Sequence, residues 1–330
     1  MTETQKNTKP EINKDHPVVY AIAGFVLGAC MTVSVLGSRE YSAQQDTVAQ
    51  PTTTEEAAPR IGACPKAKYE GVDPNVAMAL TNDELSKYTD ELRDSASFDE
   101  STKILNSIFK RWDYQVFVGE VPSSTDTGTS THPRGIEHEP SQINQSLLTV
   151  SAIHILESLN VIPEPLMSIT KGTKLYLTMN IVGESGWYGG LYTTDKDSTK
   201  SVIVGIGPND PSGKIFEHEL THNLLFRLCG DEIAGEDTEL AALNPESFQY
   251  SRLSRPYSEI DNITASEYGA FNSTEDAAEL FPTVLRVHMG ELCYMNDAFI
   301  GEGTPICDKL NLLLSRIAAK SPETAAYLNR

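Results

Sequence analysis

The chain has 330 residues, 39% hydrophobic and 22% charged, with 22 Gly and 18 Pro, a balance that excludes a collagen-like, wholly disordered or coiled-coil protein. Against 26 Lys and Arg stand 46 Asp and Glu, a formal net charge of −20. Lys6, Lys9 and Lys14 cancel Glu3, Glu11 and Asp15 in the first 38 residues, so the whole acidic excess lies beyond them. A surface of that sign repels phosphates, which argues against nucleic acid as a partner.

Residues 1–17 are polar and read as a cytoplasmic tail. Residues 18–37 (VVYAIAGFVLGACMTVSVLG) hold no charged side chain. As a helix they would be about 30 Å long, the thickness of a hydrocarbon core. A cleaved signal peptide is the rival reading, but its apolar region is normally about 7–15 residues and follows a short leader, so a transmembrane signal anchor is expected. Three Lys precede the span and Arg39 alone follows closely, which places the N-terminus in the cytoplasm and the body outside the cell, whether held there or released. Residues 38–65, rich in Thr, Ala, Gln, Glu and Pro, cannot bury enough apolar surface to offset their ordering entropy and read as a flexible stalk. Cys30 lies in the span, and Cys64, Cys229, Cys293 and Cys307 form an even set that permits two disulfides in an oxidising space. Cys293 with Cys307 would close a short loop, and Cys64 with Cys229 would then pin the start of the body near its central helix.

Residues 66–330 show no second linker and read as one domain. Helices are expected over 75–95 and 100–112, with Leu80, Leu85, Tyr88 and Leu92 at helical spacing in the first. A short strand follows at 114–118, a Ser-, Thr-, Gly- and Pro-rich loop at 121–139, and a helix at 142–159. Strands are expected over 174–181, 190–194 and 201–206, separated by turn residues. A helix is expected over 210–228, with Asp210 as cap, Pro211 in its first position and Gly230 after its end. Helices, then strands, then helices give an α+β architecture.

The helix after the strands reads KIFEHELTHNLLF and contains His218-Glu219-Leu220-Thr221-His222, an HExxH pattern. Residues four apart share a helix face, so both imidazoles can reach one metal ion. Glu219 projects beside them, toward a water rather than the metal. Chance would put this pattern in about one chain in a hundred of this length. A catalytic zinc takes a third protein ligand and keeps one position open. Leu225 and Leu228 stand where a metzincin has its Gly and third His, which excludes that class. A second candidate helix, Asn272-Ser-Thr-Glu275-Asp-Ala-Ala-Glu279-Leu-Phe, has Asn272 or Ser273 as cap and two glutamates on one face. Either glutamate could be the ligand, with the acidic run Asp231, Glu232, Glu236, Asp237 and Glu239 in reserve; that run otherwise reads as a solvated loop, since EF-hand spacing is lacking.

HExxH with a downstream glutamate helix resembles the gluzincins. The stretch from Tyr268 to Phe281 is similar to the corresponding part of the anthrax lethal factor catalytic domain and its relatives. There a Tyr stands seven residues before the ligand Glu, an Asn three before it and a second Glu four after it; Tyr268, Asn272, Glu275 and Glu279 match in type and spacing. The resemblance spans about residues 175–285 and does not extend to the segment between the two helices or to the anchor. It implies a zincin-like domain with a small mixed sheet and a C-terminal helical subdomain. It assigns Glu275 as third ligand with His218 and His222, Tyr268 as the hydroxyl facing the reacting carbonyl, and Glu279 as the acid behind a ligand imidazole, with Asn272 beside it.

The expected function is a membrane-anchored, extracytoplasmic zinc endopeptidase with one Zn2+, Glu219 as general base and a peptide or protein as substrate. Gly189-Gly190-Leu191-Tyr192-Thr193 could be an edge strand that pairs with an extended peptide, or an interior strand. Two other readings stay open: a surface binding or adhesion protein on a zincin scaffold, and a zinc amidase acting on cell-wall amides. His132, His138, His154 and His288 lack ligand spacing, and Cys64 could serve as a blocking thiolate in a latent form. Asn144, Asn262 and Asn272 each open a glycosylation sequon, and a glycan on Asn272 would crowd the site.

Overall fold

The structure is a computed structural model. It describes residues 72–73, 75–119, 144–178, 181–183, 186–194, 199–206, 212–230, 236–251, 262–288 and 303–329. All of them fall within the unit Thr52–Arg330. The expected tail, anchor and stalk, the loop at 121–139, and Cys64 and Cys293 lie outside the described residues. Among the described residues no helix is long and apolar enough to cross a membrane.

Two helices open the domain, α1 (Asn82–Asp94) and α2 (Phe98–Phe109). The first begins later than its periodicity suggests, because Thr81 and Glu84 form a capping box there and Met78 is instead bridged to Pro163. A single 3-10 turn, Lys110–Trp112, leads into β1 (Gln115–Val118). Then come α3 (Gln145–Val161) and a short α4 (Glu164–Ile169) that the sequence reading missed. Pro165 occupies one of its first two helical positions, where a missing N–H costs nothing. Strands β2 (Lys174–Thr178), β3 (Ile181–Gly183), β4 (Gly186–Tyr188), β5 (Gly190–Thr194) and β6 (Lys200–Gly205) follow. They lead to α5 (Ser212–Cys229), a one-turn α6 (Thr238–Ala241), α7 (Ser273–His288), α8 (Pro305–Ala318) and α9 (Pro322–Leu328). The architecture is mixed α+β.

The main sheet has the order β1-β2-β6-β5. The first three strands are parallel and β5 runs antiparallel to β6; β3 and β4 pair as a separate hairpin. Side chains alternate across a strand. Leu175, Leu177, Val202 and Val204 accordingly enter one core with Phe216, Leu220 and Leu224 of α5 and Leu148, Ile155, Leu156 and Leu159 of α3. Tyr176, Ile203 and Leu191 cluster on the opposite face, with Phe117 packed against them. Burial on both faces is what parallel strands require.

Helix α5 is thus central. Gly213 lets it approach α3: a Cβ there would lie 2.5 Å from the His154 carbonyl oxygen. From below it is tied by a buried polar chain, in which Asn223 Nδ2 donates to Thr173 Oγ1 (2.8 Å) and Thr173 Oγ1 donates to the Thr170 carbonyl (2.6 Å). Cys229 at its end carries a thiol, so the expected Cys64–Cys229 bond is not formed. An ordinary helix end, with Gly230 at φ +79°, closes this element without a crosslink.

Candidate metal centre

Helix α5 delivers His218 and His222 to the same side one turn apart, and α7 delivers Glu275 and Glu279 against them. His218 Nε2 lies 2.9 Å from Glu275 Oε2, His222 Nε2 lies 3.3 Å from the same oxygen, and the two Nε2 atoms are 3.2 Å apart. Among the described residues, His218, His222 and Glu275 form a group able to hold a metal ion, each offering one atom. In a tetrahedral zinc site with bonds of about 2.0–2.1 Å, ligand atoms stand about 3.3 Å from one another. The observed triangle is close to that size, so the donors fit zinc in type, number and spacing.

Glu279 completes the arrangement from behind: His218 Nδ1 lies 2.8 Å from Glu279 Oε1. With that nitrogen donating to the carboxylate, the lone pair of Nε2 is left for a metal. Burial opposes a charge on His218, yet the hydrogen bonds to Glu275 and Glu279 outweigh it and hold the ring well above the ordinary histidine range. Burial also pushes Glu275 and Glu279 up, but the facing imidazoles pull both below the usual carboxylate range.

Glu219 is buried and stands outside the ligand group. Burial pushes its carboxyl up to about 7, against the pull of His218 and His222. It takes a backbone hydrogen bond from Tyr192 on β5. That contact depends on Gly190, where a Cβ would fall 2.6 Å from Glu219 Oε1 and 2.6 Å from Ile215 Cγ2. The Tyr192 ring stacks on His222 at 6.4 Å between centroids. Among the described residues β5 pairs only with β6, at the end of the sheet order. Of the two readings of 189–193, the edge strand is the one seen among the described residues, beside the centre.

Tyr268 lies in a single 3-10 turn, Tyr268–Ala270. The residue is 40% exposed and its ring centroid is 5.6 Å from that of His218. Asn272 is the cap of α7, its Oδ1 accepting from the backbone N–H of Thr274 (3.0 Å) and Glu275 (2.8 Å). It therefore aims Glu275 through the backbone, and a glycan there would cost the helix its cap.

The acidic run departs from expectation. Asp237 is buried, caps α6 and pairs with Arg316 of α8, whose Nη2 lies 2.9 Å from Asp237 Oδ1. Its backbone N–H donates to Ser273 Oγ at 2.6 Å. It is a structural anchor, neither solvated nor a metal ligand, because a guanidinium from a distant helix supplies the countercharge. Glu239 is exposed and reaches the same Arg316 at 2.9 Å. Asp231 and Glu232 lie outside the described residues.

Sequence reasoning missed Ser266, whose side chain hydrogen-bonds Glu279, and the contacts of Tyr192. Neither leaves a local signal, since each depends on packing between elements far apart in the chain.

No family model matches this chain, and no curated protein does. A solved structure that matches is that of a candidate zinc-binding metallo-peptidase from Bacteroides caccae, at 17% identity over 71% of this chain and 91% of that one, with a TM-score of 0.40. At that level it carries nothing about the chemistry here, which rests on the geometry alone.

Proposed function

We propose that the chain is a zinc-dependent endopeptidase of gluzincin type, similar in its site to the lethal factor-like domains. The observation that carries this reading is the triangle of His218 Nε2, His222 Nε2 and Glu275 Oε2 with a buried Glu219 beside it. A binding module would need no such glutamate and no tyrosine over the ligand ring.

When bound, zinc supplies a Lewis acid that lowers the pKa of water and polarises a carbonyl. The chain's residues do the rest. Glu219 accepts a proton from the attacking water and returns it to the leaving amine. The Tyr268 hydroxyl donates a hydrogen bond to the oxygen on which negative charge develops. Glu279 keeps the proton of His218 on Nδ1. The edge strand β5 pairs with an extended backbone and holds the scissile bond across the centre. Residues 18–37 anchor the enzyme in the membrane with the domain outside the cell, a reading supported by the sequence.

The purified full chain should hold one zinc and cleave members of a peptide library, with cleavage abolished by a chelator and restored by zinc. Glu219→Gln should retain the zinc and lose about 10²–10⁴-fold in kcat. Unchanged cleavage in that variant would remove Glu219 from its role. A zinc-bound wild type inert toward every peptide would favour the binding-protein reading, and cleavage of wall fragments alone would favour the amidase.

A further inference from the structure

We infer that Lys309 is a positioning residue for the metal centre: its buried ammonium ties the helix bearing Glu275 and Glu279 to the strap bearing Tyr268. This deepens the peptidase reading above and rests on it. Lys309 belongs to α8, and its side chain is 0% exposed. Its Nζ lies 2.6 Å from Asp276 Oδ2 and donates to the Ile263 carbonyl oxygen, also at 2.6 Å. Tyr250 donates through its hydroxyl to the same carboxylate oxygen (2.8 Å).

Asp276 is the residue after Glu275. Successive residues are rotated by about 100° around a helix, so fixing the Asp276 carboxylate fixes the rotation of α7 and the direction in which Glu275 leaves it. Ile263 begins the strap that runs through Ser266 and Tyr268 to the cap Asn272. That strap packs hard on α7: a Cβ on Gly269 would come within 3.2 Å of Asp276 Cα. Ser266 adds the contact to Glu279, and its Oγ accepts from the Gly269 N–H at 3.0 Å. One ammonium therefore reaches both parts of the site.

Stability does not account for such a lysine. Replacing a buried ion pair by apolar groups of similar volume is often neutral or stabilising, and Leu280, Val284, Leu310 and Leu313 already belong to one apolar core with these helices. What apolar contacts lack is direction. A buried ammonium must place its three donors on acceptors, here one carboxylate oxygen and one carbonyl, and so sets register as well as proximity.

The test uses the full chain with Lys309→Met and with the charge-neutral pair Lys309→Met/Asp276→Asn. Zinc affinity, read by chelator competition, should fall about tenfold or more, the range seen when a ligand's support is removed. One zinc should still bind at saturation, kcat of the zinc-saturated variants should drop, and amide exchange over 262–279 should accelerate. Leu105→Ala on α2 is the control: it lowers the melting temperature without moving zinc affinity. Wild-type zinc affinity and exchange in both Lys309 variants would overturn the inference alone. A wild-type chain that takes up no zinc would overturn the peptidase reading and this inference with it. Should neither variant fold, the wild type decides: its amides at 263–269 and 273–279 should stay protected after zinc removal, and their opening would overturn the inference.

Discussion

Glu279 reaches His218 through Nδ1, leaving Nε2 as the atom turned toward His222 and Glu275. A neutral side chain of the same shape can still accept that hydrogen bond but no longer makes the ring more basic. Glu279→Gln should therefore weaken zinc binding by about 10–100-fold, checked by chelator competition, with one zinc still bound at saturation. Equal affinity in the variant would show that Glu279 is only packing. His218, Glu219 and His222 were legible in the sequence because their chemistry has a helical period. Glu275 and Glu279 were legible as a pair by the same rule, although only the resemblance distinguished their roles. Lys309, Ser266 and Tyr192 were not, since a contact between elements far apart leaves no period to read.

At the scale of elements, the separation of β5 from α5 decides where the Glu219 carboxylate rests. In Gly190→Ala the new methyl would meet Glu219 Oε1, Glu219 Cγ and Ile215 Cγ2, all within 2.7 Å. Backbone on one side and a buried helix on the other leave little room to yield, so strand and carboxylate must move apart. If Glu219 is the base proposed above, the expected result is a loss of about tenfold or more in kcat, the lower part of the range for such a group, with zinc stoichiometry unchanged because none of the candidate ligands is touched. A variant with normal kcat would show that β5 can shift freely. Strands β1, β2, β5 and β6 and helix α5 were legible from alternation and turn residues, whereas the β3–β4 hairpin was not, and the expected caps Asp210 and Pro211 lie outside the described residues. The start of α1 and the whole of α4 were not, because apolar spacing continues past the capping box in one and proline masks the other. The acidic run misled for a different reason: a charge cluster looks solvated until its countercharge, Arg316, is brought in from 79 residues away.

For the molecule as a whole, if it acts as proposed, the formal charge of −20 would bear on which peptides arrive. A field of that sign attracts cationic chains and repels anionic ones, and salt screens it over a Debye length of about 10 Å at 0.1 M. Raising the salt should lower kcat/KM for a lysine-rich peptide several-fold and raise it for a glutamate-rich one of equal length, read from initial rates. Identical salt responses would place the charge too far from the centre to matter. The α+β class was legible in the order of helices and strands, but the strand order β1-β2-β6-β5 was not, since pairing partners are chosen by packing. His218 and His222 lie 57 and 53 residues before the glutamate that meets them and on a different helix. A polypeptide that is still being synthesised, or not yet folded, therefore does not bring the three donor atoms together. On the proposed reading, hydrolytic power would appear only once α7 docks on α5, so that folding itself would act as the safety catch.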